Sequence, residues 1–74
     1  MNVNIQLGMR IKYLRIQNAW SQEDLAFEAE INKNYLSDLE RGTRNPTLKI
    51  IEKIASAFKI SISELCKGIS TFSD

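Results

Sequence analysis

Apolar residues recur along this chain at three- and four-residue steps, and no strand-like alternation lasts beyond a few residues. Ile5, Met9, Ile11, Leu14 and Ile16 predict a first helix over about 4–18, with burial on more than one side. Ser21, with Asp24 three positions on, resembles a capping box and opens a short second helix over about 22–29, with Leu25, Ala26 and Ala29 inward. Asn32 is the next N-cap, for a third helix over about 33–41 that Gly42 stops in a left-handed conformation. The stretch 42–46 is a loop by composition. Thr47 caps a fourth helix over about 48–58, with Leu48, Ile51, Ile54, Ala55 and Phe58 at core spacing. Ser61 and Glu64 form a second capping box, for a fifth helix over about 62–67 that ends at Gly68. A loose tail follows. The expectation is an all-α fold in a single domain over 1–74.

The second and third helices are the informative pair. Both are short, and the residues from Glu30 to Asn32 join them, the dimension of a DNA-binding helix-turn-helix over about 21–41. On a wheel of about 100° per residue, Leu36 and Leu39 mark the buried side of the third helix. Asn34, Ser37, Asp38 and Arg41 then point outward, with Lys33 and Tyr35 on the flanks. The N-terminal end of such a helix meets base edges. Lys33 can donate to guanine N7 and O6, Asn34 can pair with adenine, and Asp38 can accept from cytosine N4. Tyr35 can lie on a phosphate or a thymine methyl. Glu40 falls on the buried side, within about 40° of Leu36. A lone buried carboxylate is costly, and Arg15 near the end of the first helix is its expected partner.

Composition narrows the function classes. The chain has 74 residues, no histidine and a single cysteine, Cys66. An internal disulfide framework, Cys/His zinc sites and Ser-His or Cys-His catalysis are therefore excluded. Gly8, Gly42 and Gly68 lie far apart, so no phosphate loop is present. No apolar run approaches the roughly 20 residues of a membrane span, and no signal-peptide pattern is seen. The expectation is a cytoplasmic binding module, not an enzyme, with no cofactor, metal, membrane or small-molecule substrate. Net charge is +1 and the pI is near 7.9, a weak footprint beside the pI of about 9 that marks many nucleic-acid binders. The charge is uneven. Glu23, Asp24, Glu28 and Glu30 crowd one segment, whereas Arg10, Lys12 and Arg15, and later Lys33, Arg41, Arg44 and Lys49, form basic stretches. Trp20 reads as a core lid between the first two helices, and Cys66 as an inert, partly buried filler.

Residues 8–68 resemble the lambda repressor/Cro-type helix-turn-helix family, also called the XRE family. The carrying runs are Arg10-Ile-Lys-Tyr-Leu-Arg15, Ser21-Gln22-Glu23-Asp24-Leu25-Ala26, Tyr35-Leu36-Ser37-Asp38-Leu39-Glu40-Arg41-Gly42 and Arg44-Asn45-Pro46-Thr47-Leu48. Within the family, the run from Asn34 to Gly42 and the closing Ser63-Glu64-Leu65-Cys66-Lys67-Gly68 are most similar to restriction–modification controller proteins. The resemblance implies a compact five-helix lambda-repressor-like fold and a homodimer on a pseudo-palindromic operator in double-stranded DNA. RNA polymerase is a further partner in that picture. The resemblance also implies base contacts at Lys33, Asn34, Ser37 and Asp38, and backbone contacts from Gln22, Tyr35, Arg41, Arg44 and Asn45. Gln22 is further expected to brace the third helix, and the Arg15–Glu40 pair fits the same pattern. One departure is Glu30, which stands where the family usually has a turn glycine. If that position needs positive φ, the turn is strained or distorted.

The second half holds more apolar residues than one small core needs. Helices four and five and the tail, about 47–72, are expected to dimerise, with Ile60, Ile62, Leu65, Ile69 and Phe72 forming a self-complementary patch. Two recognition helices would then lie about 34 Å apart. The residues leave other readings open: a phage-type repressor or antitoxin regulator, or a helical interaction module that keeps the fold without binding DNA.

Overall fold

Each helix starts where a short polar side chain accepts a backbone N–H that the first turn leaves unpaired. Asn2 accepts from Ile5, Ser21 from Asp24, Asn32 from both Asn34 and Tyr35, Thr47 from Ile50, and Ser61 from Glu64. The structure is a computed structural model that describes residues 2–71. The helices so capped are α1 (Val3–Gln17), α2 (Gln22–Ala29), α3 (Lys33–Arg41), α4 (Leu48–Phe58) and α5 (Ile62–Leu65). The described residues contain no strand. α2, α3 and α4 match their predicted bounds. α1 begins a residue early because Asn2 is its cap.

The two expected capping boxes differ. At α2 the box is complete: the Ser21 N–H donates to Asp24 Oδ2 at 2.8 Å, and the Asp24 N–H to Ser21 Oγ at 3.0 Å. The Ser21 backbone N–H, and after it the Ser21 hydroxyl, hold the Asp24 carboxyl below its ordinary range. At α5 only the Ser61 half forms, because the Glu64 carboxylate turns to Arg10, 3.3 Å away. Arg10 also donates to the carbonyls of Glu64 at 2.9 Å and Leu65 at 3.2 Å. α5 ends at Leu65, two residues short of the expected 67, where the Lys67 N–H closes on the Glu64 carbonyl at 3.2 Å in a tighter turn.

The core draws on every helix: Leu7 and Ile11 from α1, Leu25, Ala26 and Ala29 from α2, Leu36 and Leu39 from α3, Ile54 and Ala55 from α4, and Leu65 from α5. Two glycines let α1 and α3 approach closely. A Cβ on Gly8 would meet the backbone carbonyl oxygens of Leu39 and Glu40, and one on Gly42 would lie 2.8 Å from Ile5 Cα. Gly42 also closes α3 with φ +78°, a conformation that strains other residues.

One sequence-based expectation is extended and another corrected. Trp20, in the link between α1 and α2, is partly buried against the core, but its cover extends to α4: its ring stacks on Phe58 at the end of that helix, centroids 5.6 Å apart. Leu65 does not belong to an exposed patch: it is fully buried, as one large apolar side chain from α5 is needed to seal the core. Ile60 and Ile69 are partly buried against that core, Ile62 is exposed, and Phe72 lies outside the described residues.

Candidate nucleic-acid interface

The turn between α2 and α3 is made by a left-handed residue. Glu30 has φ 57° and ψ 45°, and the N–H groups of Glu30 and Ile31 close on the carbonyls of Phe27 (3.2 Å) and Ala26 (3.0 Å). The position that needs positive φ therefore carries a glutamate. α2 stops at Ala29 and does not run on, so the strain, about 1 kcal/mol, is borne inside a well-formed turn.

A buried polar brace fixes α3 from behind. Arg15 of α1 forks onto Glu40 of α3, with Nε donating to Oε2 at 2.7 Å and Nη2 to Oε1 at 3.0 Å. Its Nη1 donates to the Trp20 carbonyl at 2.8 Å. Gln22, the first residue of α2, donates from Nε2 to Glu40 Oε1 at 3.1 Å. The Glu40 side chain is only 4% exposed and that of Arg15 12%. The hydrogen bonds that Arg15 donates to Glu40 hold its guanidinium above its ordinary pKa, against the opposing pull of burial. A bidentate guanidinium–carboxylate pair constrains angle as well as distance. One carboxylate thus ties three helices together and sets the direction in which α3 faces.

The outer face of α3 divides into two parts. Lys33 and Asn34 stand exposed at its N-terminal end, and among the described residues their side chains make no hydrogen bond. Further along, Arg41 Nη1 donates to Ser37 Oγ at 2.9 Å, and the same guanidinium pairs with Asp38. Arg44, from the loop after α3, approaches Asp38 Oδ2 with its Nε at 3.4 Å, and its guanidinium carbon lies 5.3 Å from the centre of the Tyr35 ring. Lys33, Asn34, Ser37 and Asp38 therefore share one ridge, with Arg41, Arg44 and Tyr35 beside it. Gln22 and Asn45 stand apart. Gln22 is turned inward to Glu40, and the Asn45 carbonyl accepts from Asn4 of α1.

Sequence reasoning missed several contributors. Thr43 donates from both its N–H and its hydroxyl to the Asp38 carbonyl, each at 3.1 Å, which folds the loop carrying Arg44 back over α3. Arg10 ties α1 to α5. Its place on the wheel, one turn from both Leu7 and Leu14, was the available signal, since a cation on an inward face needs partners. The two-sided Asn32 cap carried no signal beyond its residue type.

A protein-family model described as helix-turn-helix matches residues 11–65. The chain belongs to the helix-turn-helix family. This helix-turn-helix protein is 40% identical over 65 residues to the control protein C.BamHI of Bacillus amyloliquefaciens, covering 86% of this chain and 80% of that one. It is similar in structure to the restriction–modification controller protein C.AhdI from Aeromonas hydrophila, with a TM-score of 0.81 at 39% identity over 84% of this chain and 94% of that one. It is also similar to SinR, a master regulator for biofilm formation solved in complex with DNA, with a TM-score of 0.75 at 35% identity, covering 80% of this chain and 95% of that one. These relatives place the protein among regulators, not enzymes. Within the described residues, no group of His, Cys, Asp and Glu could hold a metal ion. Among the described residues, no helix is long and apolar enough to cross a membrane.

Proposed function

We propose that this protein is a sequence-specific DNA-binding transcriptional regulator of the restriction–modification controller kind, acting as a homodimer on a pseudo-palindromic operator. The observation that carries this reading is the polar ridge of α3, held outward by a buried brace on its opposite side. The likeness to SinR, solved with DNA, supports the same docking face.

In this reading α3 enters the major groove with its N-terminal end leading. Lys33 and Asn34 read base edges and need break no hydrogen bond to do so. Ser37 follows one turn later, with Asp38 beside it. Tyr35, Arg41 and Arg44 meet the sugar–phosphate backbone, which orients the helix without itself specifying sequence. Gln22 positions α3 through Glu40, and its phosphate contact falls to the N-terminal end of α2, where backbone N–H groups attract anions. Asn45 reaches a phosphate through its amide nitrogen while its carbonyl stays with Asn4. RNA polymerase is the expected partner of an activating complex.

The dimer surface is revised from the sequence-based one. Leu48 is 68% exposed and Ile62 37%. Together with Lys49 and Glu52 they line a shallow cleft between α4 and α5. Lys49 and Glu52 bring opposite charges to the rim of that apolar pair, so a two-fold copy of the face complements it.

Selecting bound fragments from random DNA, then titrating the winner against salt, tests the reading. A self-complementary consensus is expected, with log affinity falling against log salt by about 0.9 per phosphate contact. Asn34→Ala should relax one base position and cost about 1–3 kcal/mol. A flat salt response, or no enriched sequence, would favour a protein-interaction module instead.

A further inference from the structure

The arginine pair at the end of α3 is not free. Asp38, 26% exposed at its side chain, sits between Arg41 and Arg44 and gives one carboxylate oxygen to each. Ser37 holds Arg41 from a second side and the Tyr35 ring holds Arg44. Two long, half-exposed cationic side chains that would otherwise sweep many rotamers are each given two partners on the α3 surface. A guanidinium has five N–H donors in a fixed fork. Arg44 spends Nε on Asp38, and among the described residues both its Nη groups are left for a phosphate.

From this geometry we propose that Asp38 is a positioning residue for DNA discrimination. It clamps Arg41 and Arg44 so that their remaining donors meet phosphates only when α3 is docked in the correct register. The inference rests on the DNA-binding reading above. An unclamped arginine reaches a phosphate on any duplex, because the backbone charge is independent of sequence. A clamped one makes full contact only where base contacts have already placed the helix. Asp38 thus lowers affinity for unrelated DNA more than for the operator, and it acts through the arginines, not by accepting from a base.

The test is a cycle of variants that exchange charge for amide at similar size. Asp38→Asn, the double variant Arg41→Gln/Arg44→Gln, and the triple variant are titrated, beside the unchanged protein, against a selected duplex and an unrelated one at several salt concentrations. Thermal melts show that each variant folds. Asp38→Asn is expected to tighten binding to unrelated DNA about tenfold, with a salt dependence steeper by roughly one to two phosphate contacts, and to change binding to the selected duplex far less. In the arginine-free background the same exchange should leave the ratio between the two duplexes unmoved. Equal tightening on both duplexes that persists without the arginines would reduce Asp38 to bulk charge and overturn the proposal. So would a changed base preference at one position with unrelated binding unaltered, which is the signature of a base reader. If the unchanged protein binds neither duplex, the DNA-binding reading itself falls; if it binds and Asp38→Asn matches it, only the clamp falls.

Discussion

Glu40 shows how much one side chain decides. It lies almost wholly out of water, yet each carboxylate oxygen meets a donor from another helix. Such a group need not stabilise the fold more than a leucine would, but deleting it strands Arg15 without its partner. Glu40→Ala should therefore cost about 3 kcal/mol, lowering the melting temperature by roughly 12 °C or more for a domain of this size. Calorimetry checks this, and an unchanged melt would show that the pair carries no weight. The Arg15–Glu40 pairing was legible in the sequence, because a charge on the Leu36 side of the wheel demands an opposite charge within reach. Gln22 as a brace of α3 came only from the family resemblance, and its acceptor, Glu40, was not legible. An amide at a helix start has many possible acceptors, and only the packing angle of α2 on α3 selects one. Gly8 was equally silent: in a helix it reads as a weak residue, and its use appears only when the α3 backbone lies against it.

At the scale of elements, the bounds of α2, α3 and α4 were legible, and those of α1 and α5 were off by one or two residues, although the backbone conformations that end the helices were not foreseen. Starts are written in side chains that accept N–H groups, and five of them do so here. Ends are written in backbone conformation. Ala19, Glu30 and Lys59 all take positive φ, and none of them is glycine, the residue that advertises it. Tertiary packing imposes these conformations against local preference. Glu30→Gly should relieve the strain in the turn before α3. The expected gain is about 0.5–1 kcal/mol, or a few degrees in the melting temperature, with the position of α3 unchanged. A lower melting temperature would mean that the Glu30 side chain contributes more than its backbone costs.

For the whole molecule, total charge was a poor guide. A balance of +1 hides an uneven distribution that the sequence already shows, and folding sets the acids on α2 and bases around α3. The apolar excess of the second half was legible, but its apportionment was not. Leu65 goes to the core, while Leu48, given to the core by spacing, is the most exposed large apolar residue of α4. The difference arises because α5 crosses the end of α4 and covers one side of it only. If the Leu48–Ile62 cleft joins two copies, Leu48→Glu should shift the sedimentation coefficient to that of a monomer at micromolar concentration and weaken operator binding. The monomer fold should be retained, since Leu48 is exposed within the single chain, and any fall in melting temperature should depend on protein concentration. A variant that stays dimeric would move the interface elsewhere.

The Arg15–Glu40–Gln22 brace has a consequence for how the protein can diversify. This brace grips α3 from its inner side, so the exposed Lys33–Asn34 end of its outer ridge is free to vary. If Lys33 and Asn34 read bases as proposed, exchanging them for other side chains rewrites the address without disturbing the chassis that delivers it. One scaffold can thereby serve many mutually orthogonal targets, with each new specificity only a residue or two away from the last.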